Sequence, residues 1–202
     1  MGRTERERLY EAILAELVDR GYEGVTLTDA LDRAGISSAV FETEFRDRDS
    51  CLFAAYDELT ERLIRKATAN CGRNDEWPER IRSGLEALLD EFAAQPEMAQ
   101  VLFRSFPAIR PVAYQRYMEF LETFTQPLRE GRALSELDEE PPGEIEMLAI
   151  GAAEAVVFHE IEAGRAAALP ALAPSILFSL LVPFMGPERA LAAASNNGEV
   201  QL

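Results

Sequence analysis

Histidine, cysteine and basic charge are all scarce in this chain, and each shortage closes off a class of function. A single histidine in 202 residues cannot supply both a general base and a group to orient it. Neither a glycine-rich phosphate loop nor a cluster of metal-ligand residues is present, so the sequence implies no enzyme, no cofactor and no metal site. Two cysteines are too few for a disulfide scaffold and fit a reducing compartment. If Cys51 and Cys71 share one continuous helix, as the pattern below implies, about 1.5 Å of rise per residue sets them roughly 30 Å apart, beyond reach of a bridge. Cys51 near a helix start leaves thiol-based redox sensing as a reading to be tested.

Targeting signals are lacking as well. The opening stretch MGRTERERLYEAIL has no apolar signal core and no small-residue cleavage site, which points to the cytoplasm. Ala166 to Met185 carries no charge, but Pro170, Pro174 and Pro183 interrupt it, so a buried interface helix is expected there and no membrane partner. Alternation of period two is absent over any useful length, and no strand is expected. Basic charge is short: 20 Lys plus Arg against 36 Asp plus Glu give a formal net charge of −16. Residues 1 to 50 hold 7 Arg against 12 acidic residues, or −5. A nucleic-acid footprint is normally basic, so any such patch must be local.

What is present is helical periodicity over a chain that is 48% hydrophobic. Leu9, Ala12, Ile13 and Leu17 share one face of a first helix that Gly21 stops. Thr26 caps a short second helix, with Asp29 three residues on, running through Arg33. Gly35 marks a turn, Ser37 caps a third helix, and Phe41 and Phe45 give that helix a narrow apolar stripe. Three short helices with a glycine turn between the second and third are the outline of a helix-turn-helix unit. A long fourth helix from about Asp49 to Asn70 follows, with Leu52, Tyr56, Leu59 and Leu63 in register. After a loop at residues 71 to 75, helices are expected over Pro78–Ala94, Pro96–Phe106 and Pro111–Gly131, then a Glu- and Pro-rich loop at Ser135–Gly143.

Two last helices are expected over about Glu144–Gly164 and Ala171–Phe184, and residues 187 to 202 read as a frayed tail. The first carries the small residues Gly151, Ala152, Ala153 and Ala155 and the apolar positions Ile145, Leu148 and Val156. The second shows Leu177, Leu180, Leu181 and Phe184. An uncharged pair of this kind needs a partner, and meeting its two-fold copy would form a four-helix interface. The fold class is therefore all-α: a three-helix N-terminal unit over 1–50 and a helical bundle with a two-helix dimerisation face over 51–202, about nine helices in all.

Gly21-Tyr22, Thr26, Asp29, Ala34-Gly35-Ile36-Ser37, Phe41, Phe45, Arg48-Asp49 and Leu52 fall, without a gap, at the spacings of the tetracycline-repressor family, which the chain resembles over roughly its first 55 residues. Leu31 stands where that family usually has a small alanine inside the second helix, with Ala30 beside it. Glu42 replaces a phosphate-contacting tyrosine, Glu44 a frequent histidine, and Arg48 a lysine. The resemblance implies a ligand-responsive transcriptional regulator, a repressor that binds a palindromic operator in double-stranded DNA as a homodimer and is released by a small apolar molecule. The alternative is a helical dimer of the same fold that has lost DNA binding and serves as a small-molecule or protein-binding module.

On that reading Ser37, Ser38, Ala39 and Thr43 reach base edges, while Thr26, Thr28, Arg33, Arg46 and Arg48 position phosphates. Glu42 either accepts from a cytosine amine or pairs with Arg46 one turn on. The resemblance also implies a ligand pocket lined by Phe103, Phe106, Tyr114, Tyr117, Met118, Phe120, Phe124, Phe158 and His159, for which core filling is the plain alternative.

Overall fold

A computed structural model describes residues 1–72, 76–109, 111–135 and 141–195. Among the described residues there is no strand. The described residues form ten α-helices in order: α1 Arg3–Gly24, α2 Leu27–Ala34, α3 Ser38–Phe41, α4 Arg48–Cys71, α5 Trp77–Ala94, α6 Pro96–Gln100, α7 Pro111–Thr123, α8 Thr125–Ala133, α9 Ile145–Glu162 and α10 Ala173–Ser195. A π-helical turn, Val101–Ser105, extends α6, and a 3-10 segment, Ala166–Leu172, precedes α10. By packing the chain divides into two units, Met1–Arg62 with Pro96–Tyr117, and Leu63–Gln95 with Met118–Leu202. These units cut the chain differently from a boundary at residue 50.

In the first unit the short helices start and stop where the expected caps stand. Thr26 Oγ1 accepts the Asp29 amide at 3.1 Å, and its hydroxyl donates to Asp29 Oδ2 at 2.6 Å. Gly35, at φ 65° and ψ 41°, ends α2 in the left-handed conformation that glycine adopts without strain. The Ile36 amide then closes back on the Leu31 carbonyl at 3.0 Å. The core beneath is Leu9, Ile13 and Leu17 of α1, Leu31 of α2, Phe41 of α3, and Leu52 and Tyr56 of α4, all buried. Ala30 and Leu31 are both buried, in a helix that packs on α1.

α1 and α2 are also clamped by charge. Glu16, only 5% exposed, lies between Arg20 (Nε to Oε2, 2.9 Å) and Arg33 (Nη1 to Oε1, 3.1 Å). Arg20 continues to Asp29 at 2.5 Å and Arg33 to Asp19 at 3.0 Å. A carboxylate removed from water needs such partners. In the same unit Tyr56 stacks face to face on Phe106, ring centroids 3.6 Å apart, and α1 packs against α6 and the π-helical turn.

In the second unit the course of two helices differs from the sequence reading. Periodicity predicts one helix from Pro111 to Gly131, but the structure divides it at Phe124. Pro127 lacks an N–H, and its ring collides with the carbonyl four residues back, so a new helix has to begin just before it. The expected frayed tail at 187 is instead helical through Ser195. Gly186, at φ 74° and ψ 167° ahead of Pro187, kinks the helix without ending it. Beyond the kink Ala190 and Ala194 are buried, and the Arg82 guanidinium of α5 donates to the Ala193 carbonyl. Residues 73–75 and 136–140 of the expected loops and 196–202 of the expected tail lie outside the described residues.

Leu177, Leu180, Leu181 and Phe184 of α10 are at most 4% exposed. They were expected to face a second copy. Instead they fill this chain's own core, where α10 packs on α5, α8 and α9. Ala166–Ser195 is long and apolar enough to cross a membrane by length and composition, yet these side chains are already covered by protein. Gly131 of α8 lies so close to Trp77 that an added Cβ would stand 2.5 Å from the indole ring. The Trp77 indole N–H donates to the Pro127 carbonyl at 2.8 Å.

Candidate nucleic-acid interface

α3 is a single turn, with Ser37 Oγ accepting the Val40 amide at 3.4 Å. The helical ladder continues past its end, since the Glu42 amide bonds to the Ser38 carbonyl at 2.9 Å and the Phe45 amide to the Phe41 carbonyl at 3.0 Å. The expected rod from Ser37 to Phe45 is therefore one regular turn extended by a tight one. Phe41 is buried, its ring 5.4 Å from that of Phe45, and Phe45 meets Tyr10 of α1 edge-on at 6.1 Å. With that side anchored, Ser37, Ser38, Ala39, Glu42 and Thr43 are all exposed, as are Thr26 and Thr28 at the start of α2. The expected base-facing residues thus share one solvent face of a firmly seated segment.

The expected phosphate cations are placed differently. Arg33 is held by Glu16 and Asp19. Arg48 donates to the carbonyls of Tyr22 (3.1 Å) and Val25 (2.9 Å) and twice to Asp49 Oδ1, and its guanidinium lies 4.4 Å from the centre of the Tyr22 ring. Four of the five N–H groups that an arginine carries are used to fasten the α1–α2 connection to the start of α4. Tyr22 completes this staple by donating to Asp49 Oδ2 at 2.8 Å. Arg48 is thus a structural residue here. Among the expected cations Arg46 alone stays well exposed, 88% of its side chain, and among the described residues it bonds only to the adjacent Asp47, at 3.0 Å. Asp47 is occupied as the cap of α4: it accepts the Ser50 amide at 2.8 Å, and that bond, before the Arg46 contact, holds its carboxyl below the usual range.

The two carboxylates of the segment also behave differently. Glu44 turns back to α1, where it meets Arg6 at 2.5 Å and the Met1 amine at 2.9 Å. These hydrogen bonds hold its carboxyl below the ordinary value. It is neutralised in place, turned back onto α1. Arg6 was missed because a pair 38 residues apart leaves no spacing signal.

The aromatic residues expected to bind a ligand fall in both packing units. In the first, Phe106 is fully buried against Tyr56 and Phe53, which makes it a core residue. Tyr117 is buried with its ring 6.5 Å from Phe103 and 6.2 Å from Tyr114, and Tyr114 is 54% exposed. In the second, Phe120 is buried and edge-on to Phe124 at 5.1 Å, Met118 and Phe158 are half-buried, and His159 is exposed on α9.

Cys51 is completely buried, and burial pushes its thiol up to about 12; burial likewise raises Cys71. A thiol so protonated is a poor nucleophile. Iodoacetamide at neutral pH is therefore expected to leave Cys51 unmodified in the folded protein and to alkylate it after unfolding in guanidinium. Rapid modification of the native protein, read by peptide mass, would restore the redox reading.

No protein-family model and no curated relative matches the sequence. Solved structures do. The fatty acid degradation regulator FadR from Bacillus halodurans superposes with a TM-score of 0.79 over 90% of this chain and 96% of its own, at 16% identity. FadR from Bacillus subtilis, in complex with stearoyl-CoA, gives 0.67 over 87% and 97%, also at 16% identity. Full-length TylP, a TetR regulator from Streptomyces fradiae, gives 0.62 over 98% and 100% at 15% identity. The chain has the all-α fold of TetR-type regulators along nearly its whole length.

Proposed function

We propose that this chain is a cytoplasmic, non-enzymatic transcriptional regulator that binds double-stranded DNA as a homodimer and is released from a palindromic operator by a small apolar ligand. The supporting observation is the exposed face of Ser38, Ala39, Glu42 and Thr43, anchored from behind by the buried Phe41 and carried on a fold that TetR-type regulators share. A helix of this kind enters the major groove with its N-terminal residues at the base edges. The exposed hydroxyl of Thr28, with Arg46, meets phosphates, whereas the Thr26 hydroxyl proton is already given to Asp29. Two such helices in a dimer, about 34–36 Å apart, favour a two-fold symmetric site.

Few free cations and a net charge of −5 over residues 1 to 50 weaken the sequence-independent attraction to phosphate. Specific contacts then carry a larger share of the affinity, and non-specific binding is weak. For the ligand, Phe103, Tyr114 and Tyr117 form the aromatic cluster that we assign to contact, and the stearoyl-CoA held by the Bacillus subtilis neighbour supports an apolar body. To release DNA, the ligand must prefer the conformation whose reading helices are misplaced, since a ligand indifferent to the two states shifts neither.

The second reading, a dimer of this fold without DNA binding, is favoured by the commitment of Arg33 and Arg48 to internal partners. Selection from random duplex DNA, at low and at physiological salt, separates the two. A palindromic consensus is the expected result. Failure to enrich any duplex, even at low salt, leaves only the second reading.

A further inference from the structure

Glu42 remains once the other charges of the reading segment are accounted for. Its amide is on the α3 ladder and its side chain is exposed, one turn from Ser38. Glu44 is neutralised by Arg6. Arg46, the cation one turn on from Glu42, is bonded to Asp47, so the expected surface pair does not form and Glu42 has no ion pair among the described residues. An unpaired carboxylate on a face turned toward DNA is repelled by phosphate unless a base edge gives it a proton donor. Two of its neighbours on the face share this bias. Thr43 spends its hydroxyl proton on the Val40 carbonyl at 2.6 Å and presents oxygen outward, while Ala39 offers only a methyl group.

We propose that Glu42 reads a cytosine in each half-site by accepting a hydrogen from its N4 amine. In the major groove only cytosine N4 and adenine N6 donate; guanine shows two acceptors, and adenine sets its N7 acceptor beside the donor. A carboxylate therefore selects cytosine and rejects guanine, and a residue that weakens general DNA binding becomes a source of discrimination. This inference rests on the DNA-binding reading above.

Random-duplex selection with the wild type, Glu42→Ala and Glu42→Gln tests it. The wild type should return one fixed cytosine per half-site. Glu42→Ala should lose that preference alone, by on the order of tenfold to a hundredfold, with the other positions unchanged. Glu42→Gln, able to pair with adenine N6 and N7, should move the same position toward adenine. If Glu42→Ala binds DNA and returns the wild-type consensus at every position, the proposal is overturned while the DNA-binding reading stands. A wild type that enriches no duplex overturns both.

Discussion

Arg132→Leu is expected to destabilise the chain by about 2–4 kcal/mol at neutral pH, the range set by removing one partner of a largely buried, hydrogen-bonded charge. Glu146 is 3% exposed and receives Arg132 through Nε at 2.5 Å and Nη2 at 3.0 Å. The same guanidinium collects the carbonyls of Pro141 (2.7 Å), Pro142 (2.6 Å) and Gly143 (3.2 Å). One side chain thus fixes the approach to α9 and neutralises the only buried carboxylate of that helix. The Arg132 hydrogen bond, ahead of any other influence, holds Glu146 below its ordinary value. A depressed folded-state value means that the stabilisation is complete above the unfolded glutamate value of about 4.3 and is lost as pH falls through the folded value. The urea midpoint of Arg132→Leu should therefore lie well below wild type at pH 7, and the gap should narrow under acid. Equal midpoints at pH 7 would show the pair to be a surface contact of little weight.

This ion pair also marks the boundary of what the sequence reveals. Caps and turns are local, so Thr26, Gly35 and Ser37 could be placed from a window of a few residues, and with them the seat of the reading segment. Helix periodicity located α1, α4, α5 and α9 for the same reason. Partnerships across tens of residues have no local signature: Arg6 with Glu44, Arg48 with the Tyr22 and Val25 carbonyls, and Arg82 with Ala193 all had to come from the fold. Arg48 and Arg33 look like phosphate ligands in sequence because a cation near a reading helix is ambiguous until its donors are counted. The stripe Leu177, Leu180, Leu181 and Phe184 is ambiguous in the same way, since an uncharged helix face reads alike whether its own chain or a second copy covers it.

α9 offers a second, exposed apolar stripe, because it is apolar on more than one side. Ala149, Val157 and Ile161 are buried, whereas Leu148 is 64% exposed, Val156 42% exposed, and Ala152 exposed between them. Ile145, Leu148, Ala152 and Val156 follow one another at three- and four-residue steps, so they form a single stripe along the helix. If this stripe is the dimer face, two-fold symmetry brings every substitution into the interface twice. Leu148→Glu then buries two carboxylates without partners, at several kcal/mol, and each 1.4 kcal/mol is a tenfold change. The dimer dissociation constant should rise by roughly a hundredfold or more, measured by sedimentation equilibrium, with helicity unchanged because position 148 faces solvent in the single chain. Leu181→Ala should do the reverse: Leu181 is fully buried, so the expected loss is about 2–5 kcal/mol of folding stability rather than of association. A Leu148→Glu protein that keeps the wild-type mass across the same concentrations would remove α9 from the interface. Binding to a palindromic duplex, which needs both reading helices at once, should weaken in step with the dimer.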